Sequence, residues 1–243
     1  MNTTTAVSPV RDVSYYIMRY LLILLLFSIS SRSFGQSCSC ATNPQLKEII
    51  NCDTTFLNNK VTLYWQFNCD SSWLIFENQS GLKKVLYSLE SPLIELTERL
   101  GYRFTWEYQK SFLIQNNLIS GCCTPPEYLL FSKEKGTLIT NLGPLIYYGE
   151  ERNNNFVIYF TNKALNHVTL HYVDSGRKYD ISLPAGRFAS TLKKKGELYA
   201  ERLFIETDIR DSIMTIEYRY QKKEKEDRWY TDNVVIDLNK YVR

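Results

Sequence analysis

The strongest constraint on this chain is a period-two alternation of apolar and polar residues. Val61, Leu63, Trp65, Phe67 and Cys69 fall on one side of an extended segment, while Thr62, Tyr64, Gln66 and Asn68 fall on the other. Successive side chains of a strand point to opposite faces, so this spacing describes a strand with one face against a core. Tyr102, Phe104, Trp106 and Tyr108 repeat it, as do Val168, Leu170 and Tyr172, and then Tyr179, Ile181 and Leu183. Met214, Ile216, Tyr218 and Tyr220 form a further run, and Val234, Ile236 and Leu238 a last short one. β-branched and aromatic side chains suit such half-buried pleated surfaces. The expected fold is mainly β: an antiparallel β-meander or hairpin architecture, either a β-sandwich or propeller-like, with one or two short helices. The alternation predicts that Leu63, Trp65, Phe67, Phe104, Trp106, Leu170, Ile181, Ile216 and Ile236 are buried.

Turn residues join the runs. Glu77–Gly81 separates WLIF from LKKVLYSL, Ser132–Gly136 separates YLLF from TLITNL, and Val173–Gly176 separates VTLHY from RKYDISL. A short loop ending in glycine between two apolar runs reads as a hairpin, because glycine takes positive φ without steric cost. The spacing of Gly81, Gly136 and Gly176 is compatible with propeller blades. Ordinary hairpins produce the same turns, and with no other repeat signature they are the preferred explanation. Two short helices are expected. One follows Asn43-Pro44 over residues 44–50, and one follows Ser91-Pro92 over residues 92–100, where Gly101 ends it. The charged run Lys222–Arg228 reads as the solvated loop of a hairpin between the last two strands.

Residues 20–29 read YLLILLLFSI, preceded by Arg19 and followed by Ser33 and Gly35. The apolar run is about half the length needed to span a bilayer as a helix. A basic flank, a short apolar core and a small-x-small exit describe a secretory signal peptide cut before Gln36. Met18 begins a more compact version of the same signal and competes with Met1 as the start. The expected organisation is a signal peptide at 1–35, a cysteine-containing segment at 36–60, a β-meander at 61–150 and a second β-layered unit at 151–243. The polar stretch GEERNNN marks the last boundary, and a long loop within one domain fits it equally well. No later stretch approaches membrane-spanning length, so no transmembrane segment is expected after cleavage. The expected location is exported: periplasmic, cell-surface or extracellular.

All six cysteines follow the expected cut: Cys38, Cys40, Cys52, Cys69, Cys122 and Cys123. An even count in an exported chain favours disulfides, in one of 15 pairings that sequence cannot separate. Cys122 and Cys123 are adjacent and are expected to bond elsewhere rather than to each other. At least one bridge is then expected from the 38–69 cluster to this pair. Zinc is disfavoured, since there is no C-x-x-C and no histidine near a cysteine in sequence.

A search for chemistry excludes much and identifies little. There is no G-x-G, no P-loop and no G-x-S-x-G elbow, so no catalytic, cofactor or metal residue is assigned. The net charge of +3, from 29 basic and 26 acidic residues, gives no footprint for nucleic acid. His167 and His171 lie roughly 13 Å apart on one strand face, too far to share an ion. His171, among polar neighbours, is expected to be solvated. Tyr64, Tyr147 and Tyr148 are the aromatics to watch as contacts for a protein or glycan partner, although core packing is the more usual fate of such residues. These observations lead to an exported, disulfide-stabilised β-protein that acts as a non-enzymatic binding or scaffold module. The alternative is a secreted hydrolase or carbohydrate-binding module acting on glycans.

Overall fold

The structure, a computed structural model, describes residues 38–117, 125–149, 154–162, 164–184, 187–188, 191–192, 199–221 and 228–241. The expected signal peptide, Cys122, Cys123 and most of the Lys222–Arg228 run lie outside the described residues. Residues Cys38–Arg243 form one compact unit. Among the described residues, no helix is long and apolar enough to cross a membrane.

The fold is mainly β and antiparallel. Among the described residues the strands form four sheets, each a meander in chain order. The first contains β1 (Thr55–Leu57), β2 (Val61–Phe67), β3 (Ser71–Glu77) and β4 (Lys83–Glu90). The second contains β5 (Tyr102–Glu107), β6 (Ser111–Asn116), β7 (Glu127–Ser132) and β8 (Leu138–Gly143). The third contains β9 (Leu145–Tyr147), β10 (Phe156–Phe160), β11 (His167–Tyr172) and β12 (Arg177–Ser182). The fourth contains β13 (Phe204–Arg210), β14 (Ile213–Tyr220) and β15 (Tyr230–Asp237). The strands on either side of the polar stretch read as a boundary, β9 and β10, pair with each other. The expected helices are short: α1 (Leu46–Ile49), and a 3₁₀ turn at Ile94–Leu96 that runs into α2 (Thr97–Leu100).

The sheets pack face to face in sequence order. Leu63, Trp65 and Phe67 of the first sheet meet Phe112, Ile114, Leu129 and Phe131 of the second. On the second sheet's other face, Leu113, Leu130 and Leu142 meet Leu145 and Val157 of the third. The third sheet turns Phe156, Ile158, Val168 and Leu170 toward Met214, Ile216 and Tyr218 of the fourth. Each fully buried large apolar side chain contributes about 1.5–3 kcal/mol. Among the described residues, no apolar cluster joins the first sheet to the fourth.

Gly81, Gly136 and Gly176 occupy the same place in three successive sheets, the turn between the third and fourth strands. All three have positive φ, at 78°, 56° and 70°. Each backbone N–H closes its turn, with Gly81 donating to Asn78 O, Gly136 to Ser132 O and Gly176 to Tyr172 O. The three glycines thus lie in hairpins at matching positions of successive four-stranded sheets.

Phe104 departs from the expected burial. It was expected to share a buried face with Trp106, yet it is 38% exposed. Phe104 pairs with Ile114 and Trp106 with Leu113, so Thr105 forms a bulge in β5. One extra residue reverses the alternation. Trp106 consequently packs against the cluster between the second and third sheets, and Phe104 stays on the opposite face.

Candidate functional site

Two disulfides shape the N-terminal segment. Cys38 bonds Cys52 with Cα atoms 6.5 Å apart, and Cys40 bonds Cys69 at 4.7 Å. The expected bridge from this cluster to Cys122 or Cys123 is thereby overturned, because all four upstream cysteines are used among themselves. Sequence separations of 14 and 29 close these loops at less entropic cost than a crossing of more than 50 residues. Leu46 and Ile50 anchor the segment by burying themselves in the first core cluster.

The stapled segment forms one wall of a cleft of about 570 Å³ between the first two sheets. Asn51, Asp53 and Thr55 line this wall, and β5 contributes Tyr102, Arg103, Phe104 and Thr105. Leu63, Trp65, Leu74 and Ile114 lie deeper, while Glu98, Gln115 and Tyr148 complete the lining. Asn51 N–H donates to Glu98 Oε1 at 3.3 Å, tying the segment to α2. Asp53 N–H donates to Asn51 Oδ1 at 2.8 Å, which sets the local turn.

The aromatic residues at the cleft are held from behind. Tyr102 lies against Tyr87 with ring centroids 4.2 Å apart, and Tyr87 meets Trp65 edge-on at 6.1 Å. Tyr148 stacks on Tyr128 at 6.1 Å, and its carbonyl accepts from the Tyr108 hydroxyl at 2.9 Å. Burial, with a smaller contribution from the Glu127 carboxylate, pushes the Tyr102 phenol above its ordinary pKa. It is therefore uncharged at neutral pH, with an O–H available to donate.

Of the three aromatics singled out in the sequence, the cleft contains two. Tyr64 lines it but is buried, and its hydroxyl donates to Glu77 Oε2 at 3.2 Å. Tyr148 is half-buried at one end. Tyr147 is buried elsewhere, against Phe156, with its hydroxyl accepting from Asn154 Nδ2 at 3.1 Å. Sequence reasoning missed Asn51, Asp53, Glu98, Arg103 and Gln115. They come from four separate stretches of the chain, and no local spacing connects them.

The histidines differ from each other. His171, expected to be solvated, is 4% exposed. Its strand faces the second sheet rather than water, and its ring meets Tyr159 edge-on at 6.3 Å. Desolvation, helped by nearby Lys178, lowers its pKa to about 4, so it is neutral. His167 instead sits beside a shallow cup, its Nδ1 2.6 Å from Asp180 Oδ2. Thr161 Oγ1 donates to Asp180 Oδ1 at 3.2 Å, which fixes the carboxylate. This pair orients an imidazole, but no nucleophilic side chain is hydrogen-bonded to the ring among the described residues. Among those residues, no group of three or more histidine, cysteine or carboxylate side chains is gathered to hold a metal. No protein-family model and no curated protein matches this chain.

Proposed function

We propose that this chain is an exported, disulfide-stabilised binding module that acts without catalysis in the cell envelope or secreted space. The carrying observation is the cleft between the first two sheets. Its size lies within the 300–1,000 Å³ typical of ligand sites, and a covalently stapled segment forms one wall. A wall fixed before the ligand arrives lowers the ordering cost of binding. The two disulfides fit an oxidising compartment, and the short apolar run at residues 20–29 supplies an export address.

A secreted hydrolase is the second reading, favoured by one observation: Asp53 and Glu98 both line the cleft. Paired carboxylates are the machinery of glycoside hydrolysis.

The test has two arms. N-terminal sequencing of protein from fractionated native cells should give a start at Gln36, outside the cytoplasm. Full-length protein retained in the membrane would defeat export. Ligand capture from native envelope material by wild type and by Phe104→Ala, read by mass spectrometry, addresses the cleft. A ligand retained by wild type and lost by the variant supports the binding reading. Equal capture by both removes the cleft from the function, and conversion of the captured ligand to product favours the hydrolase.

A further inference from the structure

We propose that the cleft receives one or two sugar rings of a neutral glycan, an inference that rests on the binding-module reading and specifies its ligand. Three observations converge on this chemistry.

The first is the polar lining. Asn51, Gln115, Asp53, Glu98 and Arg103 all contribute planar groups. Together they offer both donors and acceptors. A sugar hydroxyl is itself both, so adjacent hydroxyls can be met by one amide or carboxylate. Asn51 Oδ1 already accepts from the Asp53 N–H and Glu98 Oε1 from the Asn51 N–H; a purely apolar ligand would leave the remaining polar atoms that it buries without partners, at a cost of about 1–3 kcal/mol each.

The second is the aromatic surface. Phe104 is exposed at the cleft, with Tyr102 and Tyr148 half-buried nearby. The C–H faces of a sugar ring can lie flat on such rings while its hydroxyls turn outward to the polar groups. An amphipathic lining matches an amphipathic ligand.

The third disfavours the competitors. An extended peptide would add to a sheet edge, and two edge strands line the cleft. β1 is only three residues long, and β5 is interrupted by its bulge. Short and bulged edges resist strand addition. A polyanion would meet two carboxylates, Asp53 and Glu98, against the single guanidinium of Arg103.

The test uses the mature chain, oxidised, with tetrasaccharides of glucose, xylose, mannose, galactose and N-acetylglucosamine, and tetragalacturonate as the anionic control. Binding is read by titration calorimetry and by tryptophan fluorescence, since Trp65 lines the cleft. At least one neutral tetrasaccharide should bind saturably. Phe104→Ala should weaken it roughly tenfold, the size of a lost aromatic contact, and Gln115→Ala should weaken it as well. Val235→Ala, exposed on the fourth sheet, should leave it unchanged, and circular dichroism confirms that each variant is folded. Failure of every neutral sugar, preference for the anionic one, or equal binding by Phe104→Ala would overturn the proposal. Release of reducing ends would overturn it in favour of hydrolysis. If all sugars fail while envelope capture still returns a Phe104-dependent non-glycan ligand, the binding-module reading stands and only the ligand class falls.

Discussion

Phe104 and Trp106 are two residues apart on one strand and face opposite sides of their sheet. Phe104 pairs with Ile114, on the face turned to the first sheet, and Trp106 pairs with Leu113, on the face turned to the third. Trp106→Ala should therefore destabilise the protein by about 2 kcal/mol, less than the full cost of a completely buried tryptophan. Phe104→Ala should cost under about 1 kcal/mol. Urea denaturation of both variants provides the comparison. Similar losses would mean that the bulge is absent and the two rings share a face.

Gly136 is constrained twice. Its φ is 56°, and an added Cβ would lie 2.5 Å from the ring of Phe76, itself fully buried. Gly81 has a similar φ of 78° but open space around it. Gly81→Ala should thus cost about 1 kcal/mol from backbone strain alone. Gly136→Ala adds the displacement of a packed aromatic, for a total above about 2 kcal/mol. Thermal melts of the pair would separate the two contributions, and equal shifts would count against the Phe76 contact.

Burial of neutral His171 makes stability depend on pH. Its pKa is about 4 in the folded protein and about 6.5 when unfolded. Between those values the unfolded chain binds a proton that the folded chain does not, so stability falls as pH drops from about 6.5 to about 4. The loss from this group amounts to about 3 kcal/mol. In His171→Leu this component should disappear, so stability measured at pH 7 and pH 4.5 should differ less than in wild type. An unchanged pH profile would place the histidine in water.

The two disulfides close loops of 14 and 29 positions in sequence, each contributing about 3–4 kcal/mol in the chain-entropy model. A non-reducing digest should yield peptides linking Cys38 to Cys52 and Cys40 to Cys69. Substituting Cys38 and Cys52 together by serine should loosen the Asn51–Asp53 wall of the cleft. Amide exchange at those residues should then rise while β10 and β14 stay protected. Linkage of Cys69 to Cys122 or Cys123 in the digest would contradict this arrangement.

The strands legible in the sequence are those with one polar face. β14 alternates through Met214, Ile216, Tyr218 and Tyr220, and these four residues are buried as the spacing predicts. β6 (Ser111–Asn116) and β10 (Phe156–Phe160) were not singled out, because each lies between two sheets and buries side chains on both faces. A strand apolar on both faces has no period to detect. His171 misled in the opposite way: its strand does alternate, but the face that looks polar in sequence is buried against another sheet. The cleft was illegible for a different reason. Its lining runs from Asn51 to Tyr148, so it exists only once the first two sheets have packed together.

Sequential packing of the sheets also means that each interface is complete at a successive point along the chain. The residues of the first apolar interface run no further than Phe131, those buried in the second no further than Val157, and those buried in the third reach Leu238. A chain threaded through a membrane with its N-terminus leading can therefore complete each interface as it emerges. The pairing partners of Cys38 and Cys40 follow within 29 positions, early enough to oxidise before the second sheet has formed. Under the proposed export, delivery and folding run in the same direction, and every residue that lines the cleft, the last being Tyr148, emerges well ahead of the C-terminus.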